Sequence, residues 1–204
     1  MPEGVAGIIL AGGRSSRMGG GDKSLHLLDR RPILAEVIER LRRQVKIVAL
    51  NANGDPARFA AFGLDVIADP LPDLGPLGGI LAGMKWGETM PVSHIVTVAA
   101  DTPFFPDDLA ERLVAADAGP DQVVLAASDG RPHPTFGLWP VGLRENLETF
   151  LTKEGAASVR AFASMTKPPL MIDFPVSDSI DPFFNVNTHE DLARARAFAG
   201  EKSR

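Results

Sequence analysis

The sequence predicts an α/β fold, a three-layer sandwich built on a mostly parallel, Rossmann-like sheet. Three observations predict it. Short apolar runs alternate with stretches whose apolar residues repeat at i, i+3, i+4 and i+7, the pattern of strands buried on both faces separated by one-sided helices. A loop with five glycines follows the first run. The polar residues Asn51 and Asp101 stand where later runs end.

Taken in order, residues 5–10 form a glycine-bounded apolar run that suits a buried strand. After the loop, Pro32 opens a helix whose Leu34, Val37, Ile38 and Leu41 share one face. A second strand over residues 45–50 ends at Asn51. A weak helix around residues 55–62, a short strand at 65–68 and a Pro/Gly-rich loop over 69–75 come next. Pro76 opens another helix, with Leu77, Ile80, Leu81 and Met84 in the same spacing. Residues 95–100 are the clearest buried strand, and Asp101 follows it. A helix after Pro106, a strand at 122–127 and a last helix from Thr188 complete the alternation, Thr188 and Asp191 being spaced as a capping box. Residues 128–187 are less regular, with residues 133–138 reading as a strand with a proline at its edge and two short helices after it. No repeat or linker divides the chain, so residues 1–204 read as one domain.

Composition narrows the function. A chain that is 45% hydrophobic and 23% charged can bury a core. It has no cysteine, which removes disulfides, thiolate nucleophiles and zinc–thiolate sites and fits a reducing compartment. The first apolar run is too short to span a bilayer and no basic leader precedes it, so a cytoplasmic location without membrane attachment is expected. Lys and Arg total 21 against 26 Asp and Glu, a net charge of -5, which argues against nucleic acid as a partner. Against that acidic background, Arg14, Arg17 and Lys23 face only Asp22 between residues 11 and 24, a local excess of positive charge.

That stretch, residues 10–23, carries the chemistry. Glycines let backbone N–H groups approach a ligand closely, and interleaved cations add fixed charge, the combination that holds a triphosphate. Two familiar phosphate motifs are excluded. Gly21-Asp22-Lys23-Ser24 has a carboxylate where a P-loop needs glycine before its lysine, and no G-x-G-x-x-G is present in this loop. The four histidines show no H-E-x-x-H spacing, and Ser15 and Ser16 lack a G-x-S-x-G frame, so neither a zinc site nor a hydrolase triad is indicated.

Leu10-Ala11-Gly12-Gly13, then Arg17-Met18-Gly19 and Asp22-Lys23, resemble the signature of the molybdenum cofactor guanylyltransferases, within the nucleotide-diphospho-sugar transferase type of fold, also called glycosyltransferase-A-like. Asn51, Asp69, the segment Gly75-Pro76-Leu77-Gly78-Gly79, Asp101-Thr102-Pro103 and Asn185-Val186-Asn187-Thr188 follow in the family's order. Related cytidylyltransferases and sugar-nucleotide pyrophosphorylases more often carry alanine at the position of Gly12, so Gly12 points to the guanine branch. The resemblance implies that Leu10, Ala11, Gly12, Lys23, Asn51, Asp69 and Asp101 contact GTP, with Gly13 in the same loop. It implies that Asp101 holds Mg²⁺, or Mn²⁺ in its place, and that Arg17 serves the phosphates. About residues 1–127 would then bind GTP and about 128–204 would face the acceptor, molybdopterin or molybdenum cofactor. Other cofactor-biosynthesis proteins and recipient molybdoenzymes are the macromolecular partners it implies.

The remaining residues fit this expectation on physical grounds. A strand-end carboxylate such as Asp101 projects into the crevice where open α/β sheets bind ligands, and one such group suffices for a metal carried by a nucleotide. Gly78 and Gly79, each unfavourable by ~1 kcal/mol inside a helix, are explained by close approach of a base or ribose, or by tight helix packing. Asn185 and Asn187 serve either the pterin side or ordinary turn and cap duties. The expected reaction is attack by the acceptor's phosphate on the α-phosphorus of GTP, with Asp101, Lys23 and Arg17 as catalytic groups. Its rivals are a cytidylyl- or sugar-phosphate transferase of the same fold and a non-catalytic nucleotide-binding adaptor.

Overall fold

The structure, a computed structural model, describes residues 1–12, 22–154, 158–165, 167–176 and 180–202. Those residues include seven strands, β1 (Val5–Leu10), β2 (Ile47–Asn51), β3 (Asp65–Ile67), β4 (His94–Ala99), β5 (Val124–Ser128), β6 (Arg131–Pro140) and β7 (Leu170–Asp173). They form one sheet in the order β3-β2-β1-β4-β6-β5-β7. All neighbours pair in parallel except β6, which runs antiparallel to both β4 and β5.

Among the described residues six α-helices cover the sheet: α1 (Ile33–Arg42), α2 (Pro76–Gly87), α3 (Leu109–Val114), α4 (Arg144–Glu154), α5 (Val159–Ala163) and α6 (His189–Lys202). Alternation along β1 divides the core. Val5 and Ile9 join a cluster with α1, α3 and α6, whereas Ala6 and Ile8 join one with α2, α4 and α5. This is the three-layer arrangement that two-faced apolar strands require. In α1 the four residues at helical spacing, Leu34, Val37, Ile38 and Leu41, are all buried. In α6 the capping box forms as expected: Asp191 N donates to Thr188 Oγ1 at 3.0 Å, and the Asp191 carboxylate accepts from Thr188 N at 2.9 Å and Asn187 N at 3.1 Å.

Two features of the second half differ from the sequence expectation. The strand expected over residues 133–138 extends to ten residues, Arg131–Pro140, and Pro134 lies inside it rather than at its edge. Its missing N–H is harmless there. The β5 register jumps from Leu125↔Gly137 to Ala126↔His133, and β4 stops pairing at Thr97↔Gly137, so neither neighbour asks residue 134 for a ladder bond. The other feature is β7, an edge strand that the periodicity of its four residues, set between prolines, does not reveal.

Candidate active site

β2 and β3 lie on one side of β1, and β4 on the other, so the chain leaves the ends of β1 and β4 in opposite directions. Open α/β sheets bind ligands at such a switch point, outside the carboxyl ends of the strands. Leu10 is in register with Asn51 on one side and Ala99 on the other. The ladder continues one step further, with Ala11 N donating to Asn51 O at 2.8 Å and Ala100 N to Leu10 O at 3.0 Å. The segments after β1, β2 and β4 therefore reach the same level.

A cleft of about 220 Å³ opens there, lined by Leu10, Ala11, Gly12, Lys23, Asn51, Asp101 and Asn185, with Asp22, Ser24, Thr135 and the α2 start. A second cleft of about 710 Å³ shares Ala11, Gly12, Asp22 and Gly75 with it and adds Asn53, Arg58, Asp69 and residues 70–73. Leu10, Ala11, Gly12, Lys23, Asn51, Asp69, Asp101 and Asn185, all singled out from the sequence, line one or other of these adjoining clefts, and Asn187 lines neither. Gly78 adjoins Asp69, since a Cβ there would stand 3.1 Å from the Asp69 carboxyl carbon. Gly13 and Arg17 lie outside the described residues.

Lys23 sits on a 3₁₀ turn, Lys23–Leu25, and its Nζ donates to Asn187 Oδ1 at 3.0 Å. The Asn187 backbone is fixed by the α6 cap, so the ammonium is held by a rigid partner. Asp101 faces it across the cleft. Burial raises the Asp101 carboxyl above the ordinary aspartate range, partly offset by the Lys23 charge, backbone hydrogen bonding and the Thr102 hydroxyl. Val186 N donates to Asp101 O at 2.9 Å, and the Thr102 hydroxyl lies against Asn185 Oδ1 and 3.4 Å from Asp101 Oδ1. Asn185 and Asn187 therefore flank the pair, one beside each charge.

On the other wall a carboxylate is held from several directions. Asn51 Nδ2 donates to Asp69 Oδ1 at 2.8 Å and to Ile67 O at 3.2 Å. Asn53 Nδ2 donates to Asp69 Oδ2 at 2.8 Å, and its Oδ1 accepts from Asp69 N at 2.8 Å. Each Asp69 oxygen still has acceptor capacity left. Room for this cluster comes from α2. Gly75, the N-cap, has φ 58°, a conformation that favours glycine, and a Cβ on Gly79 would fall 2.2 Å from Asn51 Oδ1. Of the two explanations for Gly78 and Gly79, their first contacts are with Asn51 and Asp69.

The sequence reading missed Asn53, Arg58, Asp22, Thr102 and Thr135 as site residues. Asn53 had a signal, because it repeats Asn51 two residues on. Arg58, on the 3₁₀ helix Pro56–Phe62, had none. Among the described residues no group of three or more His, Cys, Asp or Glu could hold a metal ion. No helix among the described residues is long and apolar enough to cross a membrane.

Residues 7–167 match the family described as the MobA-like NTP transferase domain. The chain is 48% identical to the molybdenum cofactor guanylyltransferase of Bradyrhizobium sp. (strain ORS 278), over 98% of this chain and 95% of that protein. The fold matches the crystal structure of molybdopterin-guanine dinucleotide biosynthesis protein A from Archaeoglobus fulgidus, with a TM-score of 0.74 at 21% identity over 96% and 99% of the two chains. It also matches a Mycobacterium tuberculosis H37Rv protein solved in complex with manganese, with a TM-score of 0.67 at 15% identity over 95% and 98%. With Leu10, Ala11, Gly12, Lys23, Asp101 and Asn185 around one cleft, and with 48% identity to a named relative over 98% of its length, the chain belongs to the molybdenum cofactor guanylyltransferases of the MobA-like NTP transferase family.

Proposed function

We propose that this chain transfers GMP from GTP to the phosphate of molybdopterin, metal-free or molybdenum-loaded, and releases pyrophosphate in a reaction that depends on Mg²⁺ or Mn²⁺. The observation that carries the reading is that Lys23 and Asp101 face one another across a cleft whose far wall holds a braced carboxylate, Asp69. Guanine presents two adjacent N–H donors on its pairing edge, and the two Asp69 oxygens are a matching pair of acceptors. A desolvated carboxylate such as Asp101 fits a hard divalent cation that arrives with a triphosphate. The manganese of the Mycobacterium tuberculosis protein of the same fold supports that class of ion. Bound there, the ion would neutralise phosphate charge.

In the reaction a bond forms between an acceptor phosphate oxygen and the α-phosphorus of GTP. The bond from that phosphorus to the bridging oxygen breaks, and pyrophosphate leaves with the electron pair. Lys23, aimed by Asn187, stabilises charge on the departing group. No side chain has to act as a base, because the attacking phosphate is already ionised near neutral pH. The cysteine-free composition supports a cytoplasmic setting, and recipient molybdoenzymes and other cofactor-biosynthesis proteins are the partners this reading implies.

The test is pyrophosphate release with purified molybdopterin and GTP, CTP or ATP. Turnover with GTP well above the other two is expected. Preference for CTP would move the chain to the cytidylyl branch, and tight GTP binding without pyrophosphate under any acceptor would favour an adaptor.

Two glycine variants probe the base wall in contrasting ways. Gly79→Ala drives a methyl into Asn51, which Asp69 and Ile67 hold in place, so a loss of about 1–3 kcal/mol in urea unfolding is expected together with weaker GTP binding. A Cβ on Gly12 meets Asn51 Oδ1 at 3.6 Å, Asn53 Nδ2 at 3.9 Å and Asp69 Oδ2 at 4.0 Å, all ordinary contacts. Gly12→Ala should therefore unfold within about 0.5 kcal/mol of wild type, yet its methyl covers the polar wall and lowers GTP affinity in calorimetry. Equal GTP affinity in Gly12→Ala and wild type would remove the base from this wall.

A further inference from the structure

We infer that Arg58 is a positioning residue that ties the base-reading wall to the phosphate-binding turn, so that one guanidinium sets the place of both Asp69 and Lys23. The inference rests on the guanylyl-transfer reading above. Arg58 projects from the 3₁₀ helix Pro56–Phe62, which begins where the Asp55 side chain accepts from Ala57 N at 2.9 Å. All three guanidinium nitrogens are engaged by this chain. Nε donates to Asp22 Oδ2 at 2.5 Å, Nη1 to Asp55 O at 2.7 Å and Nη2 to Asn53 O at 2.5 Å. The group also lies over the Phe59 ring, 4.5 Å from its centre.

Each end of this fork reaches a different part of the site. Toward the base, Arg58 fixes the Asn53 carbonyl, and the Asn53 amide grips Asp69 by a pair of hydrogen bonds, both at 2.8 Å. Toward the phosphates, it fixes the Asp22 side chain, and the Asp22 carbonyl accepts from Leu25 N at 3.0 Å to start the turn that carries Lys23. The pairing has an electrostatic consequence as well. Asp22 lines both clefts, and Arg58 neutralises its carboxylate at the edge of a site meant for a triphosphate.

A backbone feature makes room for the fork. Gly54 has φ +84°, and a Cβ there would stand 3.1 Å from Arg58 Nη1. A lysine has a single charged point and cannot replace three spread donors, although it can still neutralise Asp22. That difference separates the two duties of Arg58.

The experiment compares wild type, Arg58→Met and Arg58→Lys in steady-state pyrophosphate release with molybdopterin, using GTP and ATP, alongside calorimetric binding of inorganic triphosphate. In Arg58→Met the KM for GTP should rise about tenfold, kcat should fall less than about threefold, and the GTP-over-ATP ratio of kcat/KM should drop about tenfold or more. Arg58→Lys should lose that ratio to a similar degree while keeping most of the affinity for inorganic triphosphate. If Arg58→Met does not fold, Arg58→Lys alone carries the test through the same ratio. A GTP-selective wild type beside variants of unchanged selectivity and unchanged KM would overturn the inference alone, even if the variants melt earlier. A wild type that uses ATP as readily as GTP would overturn the guanylyl reading and this inference with it.

Discussion

Asp101→Asn is expected to reduce GTP-dependent pyrophosphate release by about 10²–10³-fold or more, the scale seen when one preorganised electrostatic group is removed from an active site. The same change should make the unliganded protein more stable at neutral pH. Burial raises the Asp101 carboxyl above the value it has in the unfolded chain, so the protonated form is the one the fold favours. The stability this contributes is complete below the unfolded pKa and is lost as pH rises through the folded pKa. Above the unfolded pKa the wild type therefore bears a penalty for this desolvated carboxyl that asparagine does not. Thermal unfolding from about pH 4 to pH 8 should show wild type losing ground to Asp101→Asn as pH rises. The metal-dependent part of GTP stabilisation should vanish in the variant. Near-wild-type turnover, or unfolding curves that stay parallel across that range, would remove Asp101 from the role.

The second large effect is expected at Lys23. Lys23→Met should lower kcat/KM for GTP by about 10²–10³-fold, through loss of charge opposite the departing pyrophosphate. It should also move a pH limb. The Lys23 charge holds the Asp101 carboxyl down against the effect of burial, so its removal raises that carboxyl further. Activity that needs ionised Asp101 then falls off at a higher pH on the acid side of the kcat/KM profile. Lys23→Arg keeps the charge, so its acid limb should stay near that of wild type even if misplacement slows the reaction. An unshifted limb in Lys23→Met would mean that the two groups do not act on one ligand.

Periodicity and strand-end residues made much of this site legible in the sequence. Residues 5–10 and 95–100 have no alternation to confuse, because both faces of their strands are covered, and the residues that follow them had to meet at the crevice. The Asp101 position followed from that, whereas Lys23 was marked by the glycines and cations of its loop and by the family motif. Arg58 did not, because it works through backbone carbonyls of Asn53 and Asp55, which every residue possesses and no motif records. Asn53 was half visible as a repeat of Asn51, but its grip on Asp69 depends on how the loop after β2 bends back over β3. In the second half the difficulty was different. Pro134 is a strand breaker in most central strands, and only a register jump makes it tolerable. β7 was illegible because four residues with alternating partial exposure carry too little pattern to outweigh their flanking prolines.

The insertion of β6 between β4 and β5 has a consequence for how the protein is made. Ribosomal synthesis delivers β4 and β5 before β6, yet neither can dock on the other, since the strand that joins them has not yet been translated. Until residues 137–140 emerge, β4 keeps a bare hydrogen-bonding edge, the kind of surface on which nascent chains stick to one another. Completion of the sheet on that side of β4 thus waits on residues 137–140, which lie forty or more positions further along the chain than their partners.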